Sequence, residues 1–425
     1  MSDTAASLAA MRRARPQLES AVRIGPGLWD GASQRFVLHD ARTGWYFRVG
    51  PHEHFLISRM DGLRTVDELE NEFIDRFQRR LTPSLWQSIF SLLAQRGLLV
   101  GSATDVKLSS LRDARVRERS QSRTWLHARL PIVRADGLLR LLEPVVRATD
   151  RLVVWVLLWA AAAALVAYVA LHWDVVWAQA RTLWTDPVAV VCFIVLMWVA
   201  LALHEVAHGV TAWSYGARDI EIGVMWRFPF LSPYCKVDDT MLFHERSRRV
   251  RVALAGVTVS AAVCLPFWVV YLLVPEGSFA TVAAAMMTFG MLTALINLIP
   301  LFHMDGYYVL MHAVGAFDLE ASSRAALVSL VRRDGSAVER SPRRALDLTY
   351  GVVSLALMTA LVGILAGAGF FALRPLIGAP GAGLAVITGL LATFVTGLTL
   401  TRKSRASRAA AQGSRIPTSM RWGQT

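Results

Sequence analysis

Long apolar segments dominate the chain after residue 150, and six of them are long enough to cross a hydrocarbon core of about 30 Å. The fourth is too long for one simple span, so we expect its C-terminal part to leave the membrane after Pro300. The pattern predicts a multi-pass α-helical membrane protein with about six transmembrane helices and a membrane domain over residues 151–401. The segments are Leu152–Leu171, Val188–Trp213, Val252–Val274, Phe279–Met311, Leu346–Phe371 and Gly381–Leu400.

Residues 20–101 show a different pattern, in which short stretches of alternating apolar and polar residues precede stretches with the apolar spacing of helices. Arg35–His39 and Trp45–Val49 predict two strands around a turn, and Leu28-Trp29 adds a candidate third strand. We therefore expect a small N-terminal α+β domain of winged-helix-like shape. Three helices are predicted after the strands: from Pro51 to Gly62, from the capping box at Thr65–Glu68, and from Thr82-Pro83 to Gly97.

Two further stretches, residues 102–150 and 402–425, are rich in basic side chains. We expect the first to contain a linker and an amphipathic helix on an anionic membrane surface, with a plain solvated helix as the alternative. The second is expected to be a basic cytoplasmic tail. The N-terminus lacks the apolar stretch of a cleavable signal peptide, and three irregularly spaced cysteines predict no disulfide framework.

Composition and charge agree with a membrane protein, since 54% of the residues are hydrophobic, 18% are charged and the net charge is +13. Much of the positive charge lies in the loops 215–251 and 317–344 and in the tail, whereas the alternate loops hold at most one arginine each. This asymmetry predicts cytoplasmic N- and C-termini in a cell (inner) membrane, with the lipid bilayer as a partner. Nucleic-acid binding is not expected, because no nucleic-acid-binding motif accompanies the charge.

Two histidines and a glutamate lie near the end of the second apolar segment. His204 and His208 are four residues apart, so on a helix both imidazoles project from one face, and Glu205 lies about 100° from His204. This H-E-x-x-H arrangement is that of the helical zinc site of metalloproteases, with two histidine ligands and a glutamate general base. Ionisable residues in an apolar segment are costly, which favours a functional site over two histidines that hydrogen-bond between helices.

A third ligand is expected from the fourth apolar segment, because a catalytic zinc ion takes three protein ligands and keeps one position open. Pro300 is expected to break the helix there, and Gly306 to permit a tight turn. The predicted topology brings Asp305 to the cytoplasmic side, where the two histidines lie. His303 is a rival ligand, for which we favour a supporting or interfacial role.

The two motifs resemble those of the site-2 protease family of intramembrane zinc metalloproteases. His204-Glu205-x-x-His208 is similar to the first motif of that family, and Asn297-x-x-Pro300-x-x-x-x-Asp305-Gly306 is similar to the second. The resemblance covers residues 185–312. It implies that His204, His208 and Asp305 bind Zn2+, that Glu205 is the catalytic base, and that Asn297 positions the peptide near the scissile bond.

The N-terminal strands and helices, with the segment GLRTVDELENEF, resemble the PqqD-like fold that recognises ribosomally made peptides. In that family an extended leader peptide adds as a strand to the sheet edge. A domain used only for folding or dimerisation is the alternative. The combination resembles peptide zinc metalloproteases associated with modified-peptide biosynthesis, and it departs from better-known site-2 proteases because it has no PDZ-sized insertion.

These features predict a zinc metallopeptidase that hydrolyses a peptide bond of a membrane-associated or leader-bearing substrate. The alternatives are a non-catalytic membrane receptor or export partner for a ribosomally made peptide, and an enzyme that uses zinc for another hydrolysis. Between the motifs, Asp219–Phe230 and Tyr234–Asp238 predict a β-hairpin with its turn at Leu231–Pro233, to whose edge a substrate strand adds. An interfacial loop anchored by Trp226 and Phe228 is the other interpretation of this segment.

Overall fold

The computed structural model describes residues 9–121, 127–131, 136–149, 151–227, 230–274, 276–332 and 341–413. They fall into two compact units, one with the residues up to Leu28, Phe36–Phe47 and Pro51–Phe317, the other with Trp29–Arg35, Arg48–Gly50 and the residues from Asp318 onward. The strands are β1 (Val22–Ile24), β2 (Leu28–Asp30), β3 (Ser33–Asp40), β4 (Trp45–Val49), β5 (His127–Pro131), β6 (Ile220–Arg227) and β7 (Phe230–Val237). The helices are α1 (Pro51–Ile57), α2 (Val66–Phe77), α3 (Pro83–Gln95), α4 (Asp105–Gln121), α5 (Asp136–Thr149), α6 (Leu152–Leu171), α7 (Trp173–Arg181), α8 (Pro187–Ser214), α9 (Arg246–Leu273), α10 (Ser278–Asn297), α11 (Asp305–Ala313), α12 (Leu319–Arg332) and α13 (Arg344–Gly413).

The N-terminal strands form one small sheet in which β3 is the shared strand. β1 pairs with β3 in antiparallel fashion, with Val22 opposite Asp40, and β2 and β4 also pair with β3. The three predicted strands are present. The sequence pattern does not predict β1, because its three residues are too few to show an alternation.

The helices that follow the sheet begin where their capping residues predict. The Thr65 hydroxyl accepts a hydrogen bond from the Glu68 N–H, and the Glu68 carboxylate accepts one from the Thr65 N–H, which completes the capping box of α2. The Thr82 hydroxyl caps α3 by accepting a hydrogen bond from the Leu85 N–H, without a reciprocal bond. α1 ends at Ile57, short of the predicted Gly62, because residues 60–62 hydrogen-bond to the extended segment at residues 16–18.

The stretch predicted as a basic linker contains regular structure in the part that the structure describes. α4 occupies its beginning, and β5 then pairs with β6 in antiparallel fashion, with Ala128 opposite Trp226. The expected amphipathic helix is α5, whose Leu139 is buried against Val210 and Trp213 of α8. Periodicity did not indicate β5, because its pairing partner lies far away in the sequence.

Within the described residues, five helices are long and apolar enough to cross a membrane: α6, α8, α9, α10 and α13. The last two of the six apolar segments both lie in α13, which leaves helical geometry at Gly378, where φ is 73° and ψ is 167°. A Cβ atom at Gly369 would lie 3.7 Å from Cγ2 of Val386. In a straight helix these residues would be about 25 Å apart along the axis, so the chain reverses at Gly378 and the two segments pack side by side.

The fourth apolar segment breaks slightly before the predicted position. α10 ends at Asn297, and the turn between it and α11 contains Phe302 and His303 with positive φ values of 56° and 57°. The residue before a proline avoids the helical region, which explains why the helix stops short of Pro300. Gly306 does not serve as a turn residue; a Cβ atom there would collide with the Leu298 carbonyl oxygen, so glycine allows α11 to start close to the end of α10.

The segment between the motifs forms the predicted β-hairpin and not an interfacial loop, but the predicted turn is wrong. Leu231, Ser232 and Pro233 lie in β7, where Pro233 is opposite Val224 of β6. β6 ends at Arg227 and β7 begins at Phe230, and Phe228 lies outside the described residues. A proline is tolerated in β7 because this strand is at the edge of the three-stranded sheet, whose order is β5-β6-β7.

Candidate metal centre

Helix α8 changes character along its length. Its N-terminal half exposes apolar side chains such as Val191 and Ile194, whereas most of the residues from Ala207 to Trp213 are buried. The hairpin covers part of this stretch, since a Cβ atom at Gly209 would lie only 3.1 Å from Sγ of Cys235 in β7. The two motif histidines therefore lie where an apolar helix enters the protein interior.

His204, His208 and Asp305 bring three potential ligand atoms together, all within 4.8 Å of one another. Nε2 of His204 lies 3.3 Å from Nε2 of His208 and 3.0 Å from Oδ2 of Asp305. Nε2 of His208 lies 3.3 Å from Oδ1 of Asp305. Only 4% of the His204 surface is exposed, so this three-atom cluster is largely shielded from bulk water on that side.

The other nitrogen of each imidazole is held by α9. Nδ1 of His208 donates to the carbonyl oxygen of Val252 at 2.7 Å, and Nδ1 of His204 lies 2.9 Å from the Ser260 hydroxyl oxygen. A carbonyl oxygen only accepts, so His208 carries its proton on Nδ1 and keeps the Nε2 lone pair for the cluster. Metal-binding histidines are oriented by outer partners of this kind.

Gly256 lies on α9 one helical turn from both Val252 and Ser260. A Cβ atom there would lie 2.6 Å from Nε2 of His204 and would also collide with Nε2 of His208. The absence of a side chain thus lets the α9 backbone approach both imidazoles. The sequence analysis missed this residue; its only signal is a small residue four positions before Ser260 in an apolar segment.

The three donors fit a catalytic zinc ion. Two imidazole nitrogens and one carboxylate oxygen form a set typical of catalytic zinc sites, and they leave a coordination position open. Oδ2 of Asp305 is buried and makes no hydrogen bond within the described residues, although Nε2 of His204 is only 3.0 Å away. The three ligand atoms, within 4.8 Å of one another, are close enough to bind one ion.

Glu205 borders the cluster without belonging to it. Its Oε2 accepts a hydrogen bond of 2.7 Å from the Cys235 N–H, which points away from β6 and belongs to the outer edge of β7. Burial raises the pKa of the Cys235 thiol, and the nearby Glu205 carboxylate adds to this shift. The thiol therefore stays protonated near neutral pH, and the strand acts on Glu205 through its backbone.

A polar cavity of about 410 Å³ adjoins this arrangement and is lined by Glu205, His208, Asp305 and His303, among others. The structure places His303 in the cavity wall but outside the three-atom cluster. His312, two turns after Asp305 on α11, lines the same cavity and is only 3% exposed. Burial lowers its pKa to about 3, and the charge of Arg249 contributes, so this ring is neutral.

A second cavity of about 340 Å³ is mainly apolar, and its polar lining includes His204, Ser260 and Asn297. Asn297 therefore lies near His204 and not in the polar cavity with Glu205. The structure brings four of the five predicted site residues to one place and sets Asn297 beside it.

Comparison with family models, with curated proteins and with solved structures gave no match to this chain. The site combines three side chains that could hold a metal ion with the carboxylate of Glu205 beside them.

Proposed function

We propose that this chain is an intramembrane zinc metallopeptidase of the site-2 protease type, which hydrolyses a peptide bond of a membrane-associated or leader-bearing peptide. The observation that carries the proposal is the convergence of His204, His208 and Asp305 within 4.8 Å beside the carboxylate of Glu205. A structural zinc site closes with four protein ligands and has no need of a neighbouring base. A three-donor cluster beside a half-buried glutamate therefore favours catalysis.

Zn2+ held by these side chains would polarise the scissile carbonyl and lower the pKa of water from 15.7 to about 7. Glu205 takes a proton from the attacking water and later delivers it to the leaving amine. The Cys235 N–H fixes Oε2 of Glu205, while Oε1 makes no hydrogen bond in the described part of the chain and is available for the transfer. Ser260 and the Val252 carbonyl keep both imidazoles turned towards the cluster.

The substrate fits as an extended strand along the outer edge of β7. The Cys235 N–H faces outward from that edge, and so does the Leu231 carbonyl, which accepts from Nε1 of Trp198 at 3.1 Å. The bonds to Glu205 and Trp198 keep these two groups, so an added strand would pair with the other outward main-chain groups of this edge. Strand addition also exposes the scissile carbonyl, which a helical segment keeps in its own hydrogen bonds. Asn297 is assigned to holding the substrate near His204.

The bilayer is the second partner. Five apolar helices are consistent with a multi-pass protein, and the reversal at Gly378 supports a sixth crossing. With the basic loops in the cytoplasm, both termini are cytoplasmic and the metal site lies in the inner half of a cell (inner) membrane. The N-terminal sheet and helices, whose sequence resembles that of the PqqD-like family, are assigned to recruitment of the peptide, and a peptide-export system is a further partner.

Metal analysis and one substitution test the proposal. The purified full-length protein should contain zinc in equimolar amount, and Glu205→Gln should retain it because the change removes a base and no ligand. Hydrolysis of fluorescein-labelled casein in detergent should fall by several orders of magnitude in Glu205→Gln. Full cleavage by that variant would refute the mechanism, and a zinc-free wild-type protein would favour the receptor or export role.

A further inference from the structure

The root of the β6–β7 hairpin rests on the N-terminal sheet. A single 3-10 turn, Asp238–Leu242, follows β7, and its Asp238, Thr240 and Met241 line the polar cavity. Gly25, between β1 and β2, approaches this turn so closely that a Cβ atom there would lie 2.8 Å from the Met241 carbonyl oxygen. One short turn therefore connects the N-terminal sheet with the wall of the cavity that holds Glu205.

Asp239, in the middle of this turn, is the centre of a buried polar network and is only 2% exposed. Its Oδ2 accepts from the N–H groups of Arg218 and Asp219, at 2.8 and 3.2 Å, directly before β6. Its Oδ1 accepts from the Tyr46 hydroxyl of β4 at 2.7 Å. One carboxylate thus ties the start of β6 and the end of β7 to the N-terminal sheet.

Tyr46 is itself held firmly. Its ring stacks on His39 with centroids 4.2 Å apart, and Arg115 of α4 lies 5.3 Å from the ring while it pairs with Asp219 at 2.7 Å. Although burial alone would raise the pKa of Asp239, hydrogen bonds from Arg218, Tyr46 and Asp219 lower it, so the carboxylate is charged at neutral pH. The bond from Tyr46 is therefore charge-assisted, which makes it one of the stronger hydrogen bonds of the chain.

β7 connects this network with Glu205. The strand is fixed at its far end by the bond from Trp198 to Leu231 and at its root by Asp239. Between these points lies Cys235, whose N–H holds Oε2 of Glu205 at 2.7 Å. Freeing the root would let the outer edge of β7 move away from α8, and the carboxylate would lose its fixed position.

We propose that Tyr46 is a positioning residue for the catalytic base: through Asp239 it fixes the hairpin root, and with it the Cys235 N–H that holds Glu205. The proposal depends on the proposed function only in naming Glu205 a base, since the link from Tyr46 to β7 exists without catalysis. It gives the N-terminal sheet a part in building the active site, in addition to recruitment of a peptide.

The reactivity of the Cys235 thiol measures this link directly. The full-length protein in detergent is treated with iodoacetamide, and mass spectrometry of its peptides follows each cysteine separately. Tyr46→Phe keeps the stacked ring but removes the donor to a buried carboxylate, so we expect Cys235 to react about tenfold faster. Cys264, which is 1% exposed among α6, α9 and α10, should react at an unchanged rate.

Two further variants complete the design. Thr65→Ala removes the N-cap of α2 in the same N-terminal region but leaves Tyr46 and Asp239 intact, so Cys235 should react at the wild-type rate. Asp239→Asn combined with Tyr46→Phe should react little faster than Asp239→Asn alone, because the 2.7 Å bond to Asp239 is the shorter of the two that the Tyr46 hydroxyl makes, the other being to Asp219 at 3.4 Å. Equal Cys235 rates in wild type and Tyr46→Phe would overturn the proposal, and so would a parallel rise at Cys264. If Asp239→Asn does not fold, the Cys235 rate in Tyr46→Phe, compared with the wild type, decides the proposal by itself.

Casein hydrolysis separates positioning from recruitment. Tyr46→Phe should lower kcat about tenfold, leave KM nearly unchanged and keep the wild-type zinc content. A rise in KM without a change in kcat would overturn the link to Glu205. A wild-type protein that does not hydrolyse casein would count against the proposed function, whereas the labelling rates decide the role of Tyr46 in either case.

Discussion

Replacing Gly256 with alanine should abolish metal binding at the proposed zinc site while it leaves the fold intact. In a helix interior alanine is ordinarily more stable than glycine by about 0.5–1 kcal/mol. At this position, however, the added methyl carbon would lie 2.6 Å from Nε2 of His204 and closer still to Nε2 of His208. Non-bonded heavy atoms are in comfortable contact at roughly 3.5 Å, so α9 and the imidazoles must separate by about 1 Å.

A displacement of this size is large for a metal site, in which ligand distances are held within about 0.2 Å. α9 has little freedom to retreat, because Ala253, Ala255 and Val257 around Gly256 are buried. The imidazoles must turn instead, which breaks their Nδ1 contacts with α9. Loss of such outer contacts alone lowers metal affinity by about 10–100-fold, so we expect a loss of at least about 100-fold, or about 2.7 kcal/mol.

Competition with a chromophoric chelator measures this zinc affinity in detergent. Gly363→Ala is the matched control, since it makes the same exchange in the apolar helix α13, where a Cβ atom would meet nothing within 4 Å. The control should bind zinc like the wild type and be slightly more stable. Wild-type zinc affinity in Gly256→Ala would refute the close approach of α9 to both histidines.

Three further outcomes are expected from the full-length protein. Asp305→Ala should lose zinc and His303→Ala should keep it, because only Asp305 contributes to the three-atom cluster; metal analysis with the reverse result would exchange their roles. His312→Gln should make the metal-free protein less sensitive to acid. Burial lowers the pKa of His312 from 6.5 to about 3, so its stabilising contribution is complete above pH 6.5 and is lost as the pH falls, by about 2 kcal/mol between pH 7 and 5. Thermal unfolding across this range measures it, and an unchanged slope in the variant would contradict it. In a Cys192→Ser background, a cysteine at Gly277 should be labelled from outside and one at His244 should not; external labelling at His244 would reverse the topology.

Local rules predict those parts of the fold that depend on neighbouring residues. The capping box at Thr65–Glu68 starts a helix because both of its hydrogen bonds close within four residues. His204 and His208 share a helix face for the same reason, since a separation of four residues is about one turn. The apolar segments predict α6, α8, α9 and α10 from length and composition alone.

The hairpin shows where such rules fail. Ser232-Pro233 is a local turn signal, yet both residues lie in β7, opposite Met225 and Val224. A proline removes a hydrogen-bond donor, which is costly in the middle of a sheet but harmless on an outer edge. Whether a strand is an edge depends on the order of β5, β6 and β7, and β5 belongs to a stretch whose sequence indicates a basic linker and an amphipathic helix but no strand.

The residues of the site that are hardest to predict lie outside the two motifs, on elements that come near the site only in the folded chain. Gly256 matters because it has no side chain, which lets α9 lie against two imidazoles. The sequence does not reveal this role, because a glycine in an apolar segment can serve many purposes. Tyr46 stands in a strand far from either motif and reaches the site through the buried carboxylate of Asp239. Spacing along α8 identifies two of the three proposed ligands, His204 and His208, because they share a face, whereas the space for a metal ion and the orientation of Glu205 depend on α9, β7 and the N-terminal sheet. A substitution in any of these three elements should therefore change zinc binding or the placement of the base without altering a single motif residue.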